Sequence, residues 1–320
     1  MPRFNDAYQQ ALGFLISQTT YIEPQVYEIQ YPDIQYPALI PVDTSAAAWA
    51  KSVTYFSVDK AGKAGWFHAR AKDIHVADAE RAKFEVGIEM ADIGYRYDLE
   101  ELGQAMMIPG MNLSADRAMA ARRAYEEFID GVCMDGDASK NFDGLLNYPG
   151  VTTVDATADG TGSSTFFTDK TETQILNDFN TLLTGGYEAS LTVELADTLL
   201  VPVGVLTYLA TFRLSNTMST ILDFLLTKNA YTLVTGRPLT VRAVRGLGYS
   251  AADGSGRMIA YRRDPSVLKL HLPMTHRFLP PIQTGPLVFD VPGIFRLGGL
   301  EVRRPGAIRY MDKVAAAATI

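Results

Sequence analysis

Between Thr19 and Thr44 the chain reads TTYIEPQVYEIQYPDIQYPALIPVDT, with prolines at Pro24, Pro32, Pro37 and Pro41. Each proline lacks an amide N–H and fixes its own φ, and each pushes the preceding residue out of the helical region. At this spacing no helix is expected, and the segment is predicted to run extended. Tyr21, Tyr27, Tyr31 and Tyr36 sit between the prolines. A freely solvated linker is poor in aromatics, so these tyrosines are expected to lie on an apolar surface. One folded copy offers its own arm little such surface, whereas a neighbouring copy offers a great deal. Residues 1–50 are therefore read as an arm, opening with a short amphipathic stretch at 5–17. Deleting residues 1–45 is expected to leave a soluble body that cannot assemble.

The next stretch has the period of β structure. VTYFSV (Val53–Val58) alternates, DKAGKAG reads as a Gly-rich turn, and a strand is expected to resume at Trp66–Arg70. FEVGIEM (Phe84–Met90) alternates again, and Ile93–Tyr97 continues it. One face of these strands is largely polar, which predicts a hairpin projecting from the body. A long exposed hairpin is an aggregation hazard unless another chain covers it. Candidate inter-subunit contacts are the arm residues Tyr21, Tyr27, Tyr31, Tyr36 and Trp49, the hairpin residues Tyr55, Lys60, Lys63, Trp66, Phe67 and Arg70, and Arg303 and Arg304 near the C-terminus.

Residues 98–134 carry helical periodicity. DLEELGQAMM is a short helix with Asp98 as cap candidate; Pro109 and Gly110 break it, and Ser114 caps a longer helix over 114–134. Ala118, Ala121, Tyr125, Phe128, Ile129 and Val132 fall on one face, and Arg122–Glu126 and Arg123–Glu127 are i,i+4 pairs on the other. Residues 151–169 form a polar Gly/Thr/Ser link. From 170 to 285 helix and strand alternate, with helices expected at Thr171–Leu183, Val205–Arg213 and Ser219–Lys228. Strands are expected at Thr198–Val203, Leu239–Ala243 and Met258–Arg262. Residues 286–320 return to β.

The chemistry-bearing residues are sparse. Among 320 residues there is one cysteine, Cys133, and there are four histidines, His68, His75, His271 and His276. A lone Cys supports no disulfide and no thiolate cluster, and Cys133 is read as a core residue. The histidines fit no metal-ligand spacing and are read as surface or interface residues. The glycine clusters ADGTGSS, RGLGYSAADGSG and RLGG lack the context of a P-loop or dinucleotide fingerprint. No catalytic, cofactor or metal residue is assigned. The polar start lacks a signal peptide's apolar core, and no stretch has the roughly 20 clean apolar residues of a membrane helix.

Net charge is −7, with 13 Lys/Arg against 24 Asp/Glu in residues 1–160 and 16 against 12 in residues 161–320. An acidic front and a basic back suit either head-to-tail packing of identical chains or two differently charged solvated faces.

The order of pieces resembles the tailed-bacteriophage major capsid proteins, in particular the encapsulin-like major capsid family, whose fold is shared with encapsulins. YPDIQYPALIPVDTS leading into WAKSVTYFSVDKAGKAGWF is similar to that family's N-arm and entry to its E-loop. YRYDLEELGQAMMIPGMNLSADRAMAARRAYEEFIDGVCMDGD resembles its short helix and spine helix, GLLNYPGV the exit from the spine, and MIAYRRDPSVLKLHLPM, LPPIQ and IFRLGGLEVRRPGAIRYMD its last axial strands and peripheral return.

The resemblance implies an α+β phage capsid fold with an N-terminal arm at 1–50 and an extended β-hairpin E-loop at 51–92. A peripheral domain would comprise 93–164 and 286–320, with spine helix 114–134, and an α/β axial domain 165–285. It further implies hexamers and pentamers forming an icosahedral shell around double-stranded DNA contacted non-specifically, with a portal protein and scaffold and decoration proteins as partners. No cofactor and no membrane are expected, with synthesis in the host bacterial cytoplasm and residence in the virion. Some relatives crosslink through an E-loop lysine; Lys60 and Lys63 lie in that region without an assignable partner. An encapsulin-type compartment and a soluble α/β enzyme with an unrecognised site remain the alternatives.

Overall fold

The computed structural model describes residues 31–61, 77–106, 113–215 and 217–317. The chain separates into Met1–Asp33 and a second unit from Ile34 onward. Of the first unit only 31–33 are described, and all three are exposed. The second unit holds all of the regular structure described here.

Its centre is a five-stranded sheet ordered Thr152–Asp155, Ile308–Asp312, Met258–Tyr261, Thr198–Val201, Thr240–Ala243. The outer pairs are parallel and the inner ones antiparallel. The strands TLLV and MIAY are buried at every position, because both faces of this sheet are covered. Side chains alternate between two cores. Leu199, Val201, Met258, Ala260 and Met311 meet Ile175, Phe179, Leu182 and Leu183 of helix Glu172–Ala189, together with Val205, Leu209, Ile221 and Leu225. Leu200, Ile259, Tyr261, Ile308 and Tyr310 meet Tyr125, Ile129, Val132, Cys133 and Met134 of the long helix Leu113–Met134. Each large side chain fully withdrawn from water contributes roughly 1.5–3 kcal/mol, so the sheet is the seam along which both cores are bonded.

A buried ion pair crosses this seam. Arg257 donates from Nε and Nη2 to the two carboxylate oxygens of Asp312 at 2.6 and 2.8 Å, from Nη1 to the Leu146 carbonyl at 2.6 Å, and lies 4.6 Å from the Tyr310 ring. Bidentate geometry with every donor nitrogen engaged is what makes such a pair tolerable away from water.

The projecting element is an antiparallel hairpin, Ser52–Ala61 against Asp78–Asp92. The second strand is longer than the first. Its far part, from Asp78 to Gly87, pairs with Ser52–Ala61, while Ile88–Asp92 pairs with Gly293–Gly298 of the body. Met274–Phe278 completes that four-stranded sheet. Gly293 is required at this root, because a Cβ there would collide with the Ile93 carbonyl and the His276 ring.

Several sequence expectations are corrected. Residues 36–43 are not a free arm. Tyr36–Leu39 form a helical turn, Tyr36, Leu39 and Ile40 are buried in the core, and Val42–Asp43 pair in parallel with Leu270–His271. Pro37 stands at the start of that turn, where the missing N–H is tolerated. The turn expected at DKAGKAG begins too early, since Asp59, Lys60 and Ala61 still pair with Glu80, Ala79 and Asp78. The expected strand Trp66–Arg70 lies outside the described residues. Asp98 ends strand Tyr95–Asp98, which pairs with Val288–Val291, so it belongs to a sheet before the short helix Leu99–Met106. Phe128 remains 44 % exposed while Cys133 and Met134, off the expected face, are buried. The chain folds back over the C-terminal end of this helix, where the Leu145 and Leu146 amides donate to the Cys133 and Met134 carbonyls. Of the expected pairs, Arg123–Glu127 forms at 2.9 Å, while Glu126 accepts from the Tyr36 hydroxyl at 2.8 Å.

Helix Ala230–Thr235 and strand Met274–Phe278 are not evident in the sequence, and strand Leu268–His271 is indicated there by the family resemblance and not by periodicity. In KLHLPMTHRF the alternation is interrupted by Pro273, and the charged positions read as solvated. His271 and His276 are in fact buried. His271 shares a short hydrogen bond with Glu301, and His276 Nε2 sits 2.9 Å from the Ile93 carbonyl with its ring stacked on Tyr125.

Candidate inter-subunit surfaces

The hairpin is the first candidate. Every described residue from Phe56 to Lys60 and from Asp78 to Glu85 is exposed. On the pleat, Phe56 and Val58 point to one face and Tyr55 to the other. Phe56 is 67 % exposed, and Val58 and Phe84 are also open to solvent. Tyr55 and Phe84 lie directly opposite across the ladder and stack at 5.2 Å. Apolar side chains on both faces of a two-stranded ribbon have no core of their own to enter, and such a ribbon is marginal alone in water.

The root of the hairpin is held by charge. The Arg303 guanidinium lies 5.0 Å from the Tyr55 ring, and its Nε donates to Glu301. Glu301, buried, also takes the hydrogen bond shared with His271. Burial alone would push the Glu301 carboxyl up; the hydrogen bonds from His271 and Arg303 outweigh it and hold the carboxyl below its usual range. Beside it, Lys269 donates to Asp43 at 2.6 Å and holds that carboxyl well below the usual carboxylate range. Arg296 is buried beneath, donating to the Ile88 and Ala48 carbonyls at 3.3 and 3.4 Å. The direction in which the hairpin leaves the body is therefore set by basic side chains and two carboxylates on different strands.

The predicted contact residues fall into five groups. Tyr55 and Lys60 are on the projecting hairpin, and Trp49 at its entry is 63 % exposed with Arg277 5.6 Å from its ring. Arg303 and Arg304 reach the surface but are engaged within their own chain, Arg304 with Glu194 at 2.6 Å. Tyr36 corrects the expectation placed on it: it is 5 % exposed, and its hydroxyl and backbone are satisfied by Glu126 and Asp130. Burial, followed by the Glu126 carboxylate, pushes its phenol far above the ordinary range. Tyr31 is exposed within the first unit. Tyr21, Tyr27, Lys63, Trp66, Phe67 and Arg70 lie outside the described residues.

A second surface is not evident in the sequence. Leu191, Met218 and Leu233 are 85, 86 and 78 % exposed, and Val193 and Val234 are nearly as open. Leu191 and Val193 lie in the turn after helix Glu172–Ala189, Met218 in the loop before helix Ile221–Thr227, and Leu233 and Val234 on helix Ala230–Thr235. In sequence each looks like a core position of a short helix or strand, whereas Leu191, Val193 and Met218 fall in loops and helix Ala230–Thr235 buries none of its residues.

An apolar cleft of about 390 Å³ lies between Pro202–Tyr208, Val244–Tyr249 and Val314–Ala316, with Arg245 its one charged lining residue among those described. Cys133 is buried, and burial pushes its thiol far up, away from nucleophilic use. Among the described residues no group of three or more His, Cys, Asp or Glu is placed to hold a metal ion, and no helix is long and apolar enough to cross a membrane.

The described chain is an α+β body carrying a long hairpin whose outer part is exposed. Comparison with known proteins gives its family. A profile described as major capsid protein matches residues 62–314. No curated protein matches the chain. Among solved structures, the capsid of Myoviridae phage XM1 superposes with a TM-score of 0.76 at 17 % identity, over 93 % of this chain and 98 % of that one. The capsid of a native GTA particle gives 0.66 at 11 % identity, over 98 % and 100 %. Microbacterium phage Oxtober96 gives 0.62 at 12 %, over 95 % and 98 %. At such identities these likenesses give the fold, the phage capsid fold. The chain belongs to the major capsid protein family. It is a structural component of the virion capsid and not an enzyme.

Proposed function

We propose that this subunit assembles into hexamers and pentamers that close an icosahedral shell around double-stranded DNA. The observation that carries the reading is the hairpin, whose two faces expose Phe56, Val58 and Phe84 and find no cover among the described residues of their own chain. A neighbouring copy supplies that cover in a closed lattice. In this reading residues 1–50 serve as N-arm, with 34–43 anchored in the body; 51–92 as E-loop; 93–164 and 286–320 as peripheral domain; and 165–285 as axial domain. The five-stranded sheet takes strands from both of those domains. Leu191, Met218 and Leu233 then offer the axial domain its contacts with adjacent copies. Of the contact candidates, Trp49, Tyr55 and Lys60 are retained on the hairpin side, and Arg303 and Arg304 behind it.

Shell closure brings further partners: a portal protein at one vertex, with scaffold and decoration proteins, and DNA contacted without sequence preference. A chain of net charge −7 offers no general attraction to DNA, so filling the shell falls to a packaging motor. Synthesis takes place in the host bacterial cytoplasm. Electron microscopy of the purified protein tests the proposal. Closed particles with fivefold and sixfold clusters are expected, and discrete monomers or dimers under all assembly conditions would overturn it. Particles that hold a protein cargo and no DNA in the infected or producing cell would move the reading to an encapsulin-type compartment.

A further inference from the structure

Lys170 is the one lysine in the described residues whose side chain is wholly withdrawn from solvent, and it does not sit in a simple ion pair. Its Nζ meets Asp178 Oδ2 in a short hydrogen bond, and Asp178 is itself 1 % exposed. A second carboxylate, Asp159, brings Oδ1 to 3.1 Å from the same nitrogen. That Oδ1 is buried and makes no hydrogen bond of good geometry. The other Asp178 oxygen, Oδ1, accepts from the Thr157 amide at 3.1 Å. The Phe167 ring closes the site, 5.8 Å from Nζ. An ion pair needs one carboxylate. Here a buried amine, a buried carboxyl group, a backbone N–H on the carboxyl oxygen and a second carboxylate converge, with Asp159 Oδ1 buried and the rest of its side chain reaching the surface.

We propose that Lys170 and Asp178 condense to an intramolecular isopeptide bond, with Asp159 as the catalytic proton carrier. The ammonium first passes a proton to Asp178 along their shared hydrogen bond, leaving a neutral amine and a carboxylic acid. Nζ attacks Cγ of Asp178, forming the C–N bond. The oxyanion that develops on Oδ1 faces the Thr157 N–H, a donor already in place. Asp159 takes a proton from the nitrogen and delivers it to Oδ2, the C–Oδ2 bond breaks, and water leaves. One ammonium and one carboxylate become one amide and one water, with no change in net charge and no redox partner. Proximity is the driving term: the reacting groups are held at contact distance by folding, which replaces a bimolecular encounter. The product ties the start of helix Glu172–Ala189 to the segment that leads into it.

Mass spectrometry of the denatured chain, from purified subunits and from assembled particles, decides the matter. The expected result is a chain lighter than its sequence by one water, with trypsin failing to cut after Lys170 while cutting after Lys140. This pattern separates an isopeptide from cyclisation at Asp143–Gly144 or Asp159–Gly160, which loses water but leaves Lys170 cleavable. Lys170→Arg keeps the charge and is expected to restore full mass. Asp178→Asn is expected to lose ammonia in place of water and reach the same product mass. Asp159→Asn is expected to slow the loss at least tenfold. Full mass with ordinary cleavage after Lys170 in both samples would overturn the proposal.

Discussion

At the residue scale, Asp130 fastens the arm to the body. Its Oδ1 accepts from the Gln35 and Tyr36 amides at 3.0 and 2.8 Å, capping the turn that begins at Tyr36, and its Oδ2 lies 3.3 Å from Arg245 Nη2. Asp130→Ala would strand two amides, each costing roughly 1–3 kcal/mol when buried and unpaired. A urea titration should show a loss in that range. Tyr36→Phe removes one hydrogen bond and should cost about 1 kcal/mol. Arg257→Met would leave the Asp312 charge buried without its partner, and a loss of about 3–5 kcal/mol is expected, with Arg257→Met/Asp312→Leu recovering much of it. These roles are not legible in the sequence. Asp130 stands four residues beyond Glu126 on a helix rich in charge, and spacing alone assigns both to solvent. Its role depends on a partner 94 residues away in the chain, which no local pattern encodes.

Elements are more legible, for physical reasons that differ from one to the next. Glu172–Ala189 and the long helix declare themselves through apolar spacing, because each buries one stripe on the sheet. The hairpin declares itself through alternation. The arm misleads, since four prolines signal an extended chain but do not say where the chain is anchored, and Pro37 starts a turn. This revises the truncation. Removing residues 1–45 would take Tyr36, Leu39 and Ile40 out of the core, and large-to-small changes at single core positions already cost roughly 2–5 kcal/mol. That truncation should yield insoluble protein. Removing residues 1–30 should leave thermal unfolding of the body intact and impair particle formation, read by sedimentation. Phe56→Asp with Phe84→Asp should likewise abolish assembly while leaving the unfolding midpoint within a few degrees. Normal particles from the double variant would show that the hairpin faces are not interface.

For the whole molecule, charge is the adjustable quantity. Asp43 and Glu301 are both held below the ordinary carboxylate range in the folded chain. A lowered folded value means that these groups add stability above the unfolded value of about 4, and that the contribution fades as pH falls through the lowered values. Acidification below about pH 4 should therefore loosen the hairpin root before the central sheet melts. Hydrogen exchange at Tyr55 and Val86, compared with that at Leu200 and Ile259, measures the order of events; simultaneous loss would show that the root carries no separate stability. Salt gives the complementary reading. If the basic C-terminal half meets the acidic half of a neighbour, assembly should weaken as salt shortens the screening length to ~10 Å at ~0.1 M, and salt-indifferent assembly would assign the lattice to apolar contacts.

The outer hairpin has one more consequence. Its strands are matched residue by residue, Val53 with Val86 and Tyr55 with Phe84, yet from Phe56 outward neither face is buried. A strand with one face in a core cannot slip by a residue, because the slip would turn its apolar set outward. Here a slip would change nothing in burial. Among the described residues, alignment is enforced at the root, by Arg303 on Tyr55 and by the ladder from Ile88 to Asp92. In the proposed shell, a neighbouring copy docked on the outer hairpin would fix its strand alignment, and a misaligned hairpin would be rejected as the lattice grows and not during folding of the chain.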